Sequence, residues 1–256
     1  MNISKAFRAV LGRLPLMAKY RCNICDHRVW KFLPYGSGSK SAPAFMRAVD
    51  FTGSDLDNFE CPWCGGTYRE RHLLMYLQAS GLLDSLSGKE ILHFAPEARI
   101  AKIVTEQQPM RYVKADLYPD KPDIERVDIL DMPYPDESFD MVVANHVLEH
   151  VADDLQSLQE LQRVLKVGGF AILQTPFSAR LHATWSDRGI DDDQSRLQAY
   201  GQEDHVRLFG KDIFSRIAGA GLASRVQYHD QLLPHICEKT FGVNRSEPFF
   251  LFERTS

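Results

Sequence analysis

From residue 69 to the end of the chain, apolar positions fall into two alternating rhythms. In "RERHLLMYLQASGLL", Leu73, Leu74, Leu77, Leu82 and Leu83 recur at helical spacing. Ile91 to Phe94 make a short apolar run that reads as a buried strand. "RIAKIVTEQ" follows as a helix and "RYVKADLY" as a second strand ending in Asp116. "IERVDIL" predicts a third strand ending near Asp128, and Met141 to Ala144 a fourth. Val151, Leu155, Leu158, Leu161 and Leu165 then share one face of a long helix, which Gly168 and Gly169 are placed to end. "FAILQTPF" is another buried strand. Such alternation implies a mainly parallel sheet with helices on both faces, and such sheets bind ligands beyond the carboxyl ends of their strands.

Before residue 69 the pattern changes, and cysteines punctuate it. Cys22 and Cys25 form one CxxC pair, Cys61 and Cys64 another, and the loop "YGSGSKSAPA" lies between them. Each pair puts two thiolates on one tight turn, where both can face one ion. Four thiolates make a closed tetrahedral zinc site of the structural kind, and four thiolates also suit iron. Gly65 and Gly66 suit a turn whose amides face the sulfurs. The competing reading is four unrelated buried thiols. A redox pair fits poorly, because neither CxxC opens a strand–helix unit. Cys237 stands alone and reads as a small buried apolar residue. The expected organisation is a basic arm at 1–20, a zinc-ribbon-like module at 21–68 and an α/β domain at 69–256.

Composition narrows the setting. The chain has 256 residues, 44% hydrophobic and 25% charged, with a net charge of −4. That balance supplies no global basic field for nucleic acid. Residues 1–21 nevertheless carry Lys5, Arg8, Arg13, Lys19 and Arg21 without an acid. No apolar run approaches the ~20 residues that span a bilayer. Pro15 and the scattered cations argue against a secretory signal, so the expected location is the cytoplasm. There, paired cysteines point to metal rather than to disulfides.

The carboxylates give the ligand class. An acid at the end of the second strand, Asp116, suits ribose hydroxyls, and Asp128 could accept from an adenine amino group. Singly each could be a cap or turn residue. At the ends of successive strands they favour a nucleoside.

The run "VDILDMPYPDESFDMVVANHVLEHVADDLQSLQELQRVLKVGGFAILQTPF" resembles the core of class I S-adenosylmethionine-dependent methyltransferases, of the type 11 kind. The resemblance covers residues 90 to 176 well and the C-terminus more loosely. It implies a Rossmann-like sheet of seven strands with the last antiparallel, closed by "GLASRVQYHD" and "EPFFLFERT". It implies S-adenosylmethionine as cofactor, with Asp116 on the ribose, Asp128 and Ile129 on the adenine, and Asn145 and His146 toward the methyl group. CxxC pairs ahead of such a core resemble zinc-ribbon-bearing methyltransferases. The opening turn, "HFAPEA", departs from the family: His93 replaces an acid, Ala95 replaces the first glycine and Glu97 a later one. Glu97 is placed to take over the contact to the cofactor's ammonium group.

Two further segments carry candidate chemistry. His146, Glu149 and His150 match an H-x-x-E-H pattern and would share a helical face, so metal ligation is geometrically possible there. The competing role is pocket lining by His146, with Glu149 and His150 supporting the helix start. Residues 178–208 read as a lid-like insertion, with His205 as a substrate-side residue and Arg207 to hold an anionic acceptor. Three functions compete. One is a methyltransferase for a small-molecule or saccharide-type acceptor, with His146 and His205 as catalytic candidates. Another is a nucleic acid or protein methyltransferase docking through the zinc module. The third is a non-catalytic interaction protein with a decayed cofactor turn.

Overall fold

The structure is a computed structural model that describes residues 9–13 and 18–256. Lys5 and Arg8 of the basic arm lie outside the described residues. In chain order the elements are β1 (Tyr20–Arg21), β2 (Arg28–Val29), α1 (Ala44–Ala48), β3 (Phe51–Thr52), α2 (Tyr68–Ala79), β4 (Glu90–Phe94), α3 (Ala98–Glu106), β5 (Arg111–Asp116), β6 (Glu125–Arg126) and β7 (Phe139–Ala144). There follow α4 (Asp154–Val164), β8 (Leu165–Ile172), β9 (Phe177–Ser178), α5 (Asp193–Tyr200), α6 (Ile213–Gly219), β10 (Leu222–Ser224), α7 (His229–Leu232), α8 (Glu238–Phe241) and β11 (Leu251–Arg254). They divide into two compact units. The first runs to Ala42 and adds Gly53–Asp84 and Tyr228–Pro248; the second takes Pro43–Thr52, Ser85–Gln227 and Phe249–Ser256. Residue 69, the expected boundary, thus lies inside α2, and α2 belongs to the first unit.

The second unit is built on a seven-stranded sheet of order β10-β11-β8-β7-β4-β5-β6. β4 pairs in parallel with both β5 and β7, and β11 runs antiparallel to β8 and β10. The chain moves one way from β4 to β5 and the other way from β7 to β8. Right-handed crossovers therefore put α3 and α4 on opposite faces and open a crevice where β4 and β7 end. The core joins Leu92, Phe94, Val142 and Ala144 of the strands to Leu158, Leu161 and Val164 of α4.

Three local expectations change. The long helix begins at Asp154, capped by Asp153, whose Oδ1 accepts from the Gln156 amide at 3.0 Å. Val151 precedes it and Leu155 is exposed; Leu158, Leu161 and Val164 carry the buried stripe. Gly168 and Gly169 do not end the helix, because Leu165 already has extended angles and opens β8. They form an irregularity in that strand, where a Cβ on Gly169 would lie 3.0 Å from the Asp140 carbonyl. The third strand shrinks to Glu125–Arg126, so Asp128 stands beyond its end in a turn.

Residues 178–208 have a small core of their own. β9 pairs with β3, and Met46, Val49, Ala199, Tyr200 and Leu208 pack together. The segment expected as a lid is therefore tied to α1 and β3 within the same unit.

In the first unit, α2 starts in a capping box between Thr67 and Glu70. It buries polar and apolar residues alike, and Arg71, Tyr68 and Tyr76 find hydrogen-bond partners. Arg71, fully buried, donates to the carbonyls of Phe241, Gly66 and Gly242 at 2.8, 3.1 and 2.9 Å and lies 3.8 Å over the Phe32 ring. Tyr68 and Tyr76 donate to the side chain and carbonyl of Glu247.

Candidate cofactor site and metal centres

Beyond the carboxyl end of β4, the chain turns through Ala95 with φ +44°, the left-handed region that glycine favours. An alanine there carries about 1–2 kcal/mol of strain. The backbone therefore follows a glycine-type path without the glycine, and Ala95 itself is exposed. Its amide is held by the Ala115 carbonyl at 2.9 Å.

The carboxylate of this turn comes from the loop and reaches back. Glu97 Oε2 accepts from buried His93 Nε2 at 2.8 Å, and Oε1 accepts from Asn145 Nδ2 at 3.2 Å. With Nε2 donating, a neutral His93 must accept at Nδ1, and Tyr112 Oη donates there at 2.8 Å. Burial, then the charge of Glu97, push the Tyr112 phenol well above its usual range, so it remains a donor. Burial opposes the charge of Glu97, but its bonds to His93 and Asn145 outweigh this and hold it below the usual carboxylate range. Its side chain remains 17% accessible. His93 thus stands behind Glu97, in contact with its carboxylate. At the ends of β5 and β6, Asp116 and Asp128 each accept one backbone amide, from Tyr118 at 2.8 Å and Leu130 at 2.9 Å. Asp128 is exposed, while the Ile129 side chain packs into the sheet core.

"HVLEH" does not form a helix; it occupies turns between β7 and α4. His146 has φ +54°, and its amide donates to the Gln174 carbonyl at 2.7 Å. Its neighbour Asn145 accepts from the Gln174 amide at 3.2 Å. Glu149 is 1% exposed, and neither carboxylate oxygen accepts a hydrogen bond. Imidazoles surround it: His146 Nδ1 lies 3.4 Å and His205 Nε2 4.0 Å from Oε1. Burial works against the Glu149 charge, but His146, His205 and His150 outweigh it and bring its pKa down to about 2. Burial lowers that of His205. Arg207 is not available for an acceptor. Its guanidinium donates to the Leu148, Val151 and Ala152 carbonyls at 2.7, 2.6 and 2.9 Å and clamps the turn.

In the first unit the four cysteines converge. Cys22 Sγ lies 3.8 Å from Cys64 Sγ, and Cys25 Sγ 3.9 Å from Cys61 Sγ. Bonds of about 2.3 Å to a tetrahedral ion separate sulfurs by about 3.8 Å, so the donor set fits zinc. Each pair sits on the same turn. The Asp26 amide donates to the Cys22 carbonyl and the Gly65 amide to the Cys61 carbonyl, at 2.8 and 2.9 Å. The fifth residue of each turn is left-handed, Asp26 at φ +61° and Gly65 at +69°. The Gly66 amide donates to Cys64 Sγ at 3.3 Å. Cys237, expected to be buried, is exposed.

The two CxxC spacings foretold the convergence of the cysteines, but Tyr112, Gln174, Arg71 and the clamp by Arg207 carried no local signal. Each acts across the fold on a residue far away in sequence.

Residues 84–173 match the family described as a methyltransferase domain. That segment runs from before β4 to the end of β8, and the seven-stranded sheet it lies in has the α/β methyltransferase fold. The chain is 35% identical over 78 residues to a probable S-adenosylmethionine-dependent methyltransferase of Mycolicibacterium smegmatis, 30% of either protein. It is 50% identical over 40 residues to the ubiquinone/menaquinone biosynthesis C-methyltransferase of Xanthomonas oryzae, 16% of either protein. A solved structure of the Burkholderia thailandensis 1,6-didemethyltoxoflavin-N1-methyltransferase is similar with TM-score 0.46 and 12% identity, over 71% of this chain and 79% of that one. The chain spans less than a third of the length of these curated relatives. Among the described residues, no helix is long and apolar enough to cross a membrane.

Proposed function

We propose that this protein transfers a methyl group from S-adenosylmethionine to a small-molecule or saccharide-type acceptor in the cytoplasm, with a structural zinc ion on Cys22, Cys25, Cys61 and Cys64. The observation that carries the reading is the Glu97 carboxylate. It is held by His93 and Asn145 at the crevice between β4 and β7, so the turn keeps an anionic centre despite lacking glycine. A decayed turn has no reason to hold a partly exposed acid so firmly.

In this reading Glu97 binds the ammonium group of the cofactor, Asp116 the ribose, and Asp128 with the Ile129 backbone the adenine. Asn145 fixes Glu97 and the chain toward His146. The cofactor supplies a methyl group on sulfonium, ready for in-line displacement. Alignment is then the protein's main contribution. His146, with Glu149 near its Nδ1, takes the proton of a hydroxyl acceptor. His205, expected as a substrate-side catalytic residue, turns its Nε2 toward Glu149, and the base in this reading is His146.

Calorimetric titration with S-adenosylmethionine and its demethylated product tests the proposal. Micromolar binding that Asp116→Ala abolishes is expected; no binding by folded, zinc-loaded protein sinks it. A second reading takes a nucleic acid or protein acceptor. It draws on Trp63, exposed on the cysteine module and stacked against His27 at 4.4 Å and Arg13 at 4.9 Å. Retention of RNA that falls steeply with salt would favour it.

A further inference from the structure

Glu149 is a buried carboxylate whose oxygens accept no hydrogen bond, His146 Nδ1 standing off at 3.4 Å, and such a group is costly unless a cation completes it. Around it stand His150 and His205, and one ligand atom from each of the three lies within 4.8 Å of the others. The rings pack edge to face at 4.7 Å between centroids.

Their outer partners decide which nitrogens are available. His205 Nδ1 faces the Tyr200 carbonyl at 3.1 Å, and a carbonyl can only accept, so Nδ1 carries the proton. His150 Nδ1 faces Asp204 Oδ2 at 3.2 Å and is set the same way. A proton on Nδ1 leaves Nε2 of each ring as the nitrogen that can ligate. His205 Nε2 points at Glu149 Oε1 across 4.0 Å, one acceptor facing another with no proton assigned between them. An acceptor behind each ligating imidazole is the arrangement that orients histidines on metals.

We propose that Glu149, His150 and His205 form a second metal site, for a divalent cation that prefers nitrogen and oxygen ligands, of the zinc type. Bonds of about 2.1 Å in a tetrahedral set would separate the donors by about 3.4 Å, a modest contraction from the distances here. Three protein ligands leave a position open, unlike the closed cysteine cluster. His150, 30% exposed, and Asp204, 64% exposed, mark the entry side. The site stands on the geometry of this turn and does not depend on the methyl-transfer reading.

The test counts metal. Full-length protein is saturated with Zn2+, passed over a weak chelating resin and assayed for zinc and protein. Two zinc ions per chain are expected, falling to one in Glu149→Gln and in His205→Asn with far-ultraviolet dichroism unchanged. One zinc in the wild type, unaltered by either substitution, overturns the proposal. Should both variants fail to fold, Co2+ titration of the wild type decides. A first equivalent gives the intense thiolate bands of the cysteine cluster. A second saturable equivalent with weak visible bands and no added thiolate absorption supports the site, and its absence overturns it. Cofactor calorimetry on the same samples separates the two proposals: S-adenosylmethionine binding with a single metal removes this one alone.

Discussion

The cysteine cluster and the turn after β4 both gather polar side chains around one point, and they gather them from different distances. The cluster is two copies of one local turn, each carrying both of its sulfurs within four residues. The β4 turn gathers its polar groups from three strands: Tyr112 on β5 holds His93, which with Asn145 beyond β7 holds Glu97. Both regions also put a non-glycine residue in a left-handed slot, Asp26 at φ +61° and Ala95 at +44°. Aspartate tolerates that region through local hydrogen bonding, whereas alanine has no such relief. A local site thus depends on its ligands, and an assembled site on the partners that aim them.

The largest break should come from the cluster. Cys22→Ser is expected to remove zinc and unfold the first unit, because structural zinc in such sites contributes on the order of 10 kcal/mol of apparent binding energy. Zinc content and hydrogen exchange resolved by segment would check this; a retained zinc ion with unchanged protection would show that the cluster is not the unit's staple. Next comes the clamp on the assembled side. Arg207→Met leaves three turn carbonyls without their donor, and a loss of about 3 kcal/mol is expected from the urea midpoint. A loss under about 1 kcal/mol would mean that the turn holds itself.

The Glu97 contact is expected to be weaker but specific. Glu97→Ala should weaken S-adenosylmethionine binding about 10- to 100-fold, the equivalent of a charged hydrogen bond. Unchanged affinity would refute the compensating role of this acid. Its titration has a definite sign. The folded pKa is depressed, so the carboxylate's contribution is complete above the unfolded value of about 4.3 and is lost as pH falls through the lower folded value. Affinity should therefore stay level from neutral pH down to about 5, and a decline beginning near pH 6 would assign the titration to another group.

The smallest effects sharpen the backbone comparison. Ala95→Gly should raise stability by about 1 kcal/mol by relieving strain, offset in part by the entropy of glycine. Asp26→Gly should gain less, since Asp26 already tolerates the conformation and its Oδ1 accepts from Arg21 Nε at 2.6 Å. Equal gains in thermal denaturation would erase the distinction drawn between the two slots.

What the sequence determined by itself was whatever a short window contains. Alternating periodicity predicted the parallel sheet, while the antiparallel closing pair of "GLASRVQYHD" and "EPFFLFERT" came only from the family resemblance. The two CxxC spacings brought their sulfurs together, because a tight turn fixes side chains three residues apart. Glu97 was legible as the acid of the turn from its position. Helix ends were less so: Leu165 reads as one more apolar helical residue, yet its extended backbone opens β8. Tertiary structure alone decided the rest. The "HVLEH" spacing suggested a helical metal face, but the chain turns there. His205, brought from beyond α5, completes the group around Glu149. Arg207 offered a free cation on paper and became the bolt of that turn. Such roles depend on which distant carbonyl, carboxylate or ring ends up within about 3 Å. Sequence spacing carries no information about that once the partners lie on different strands.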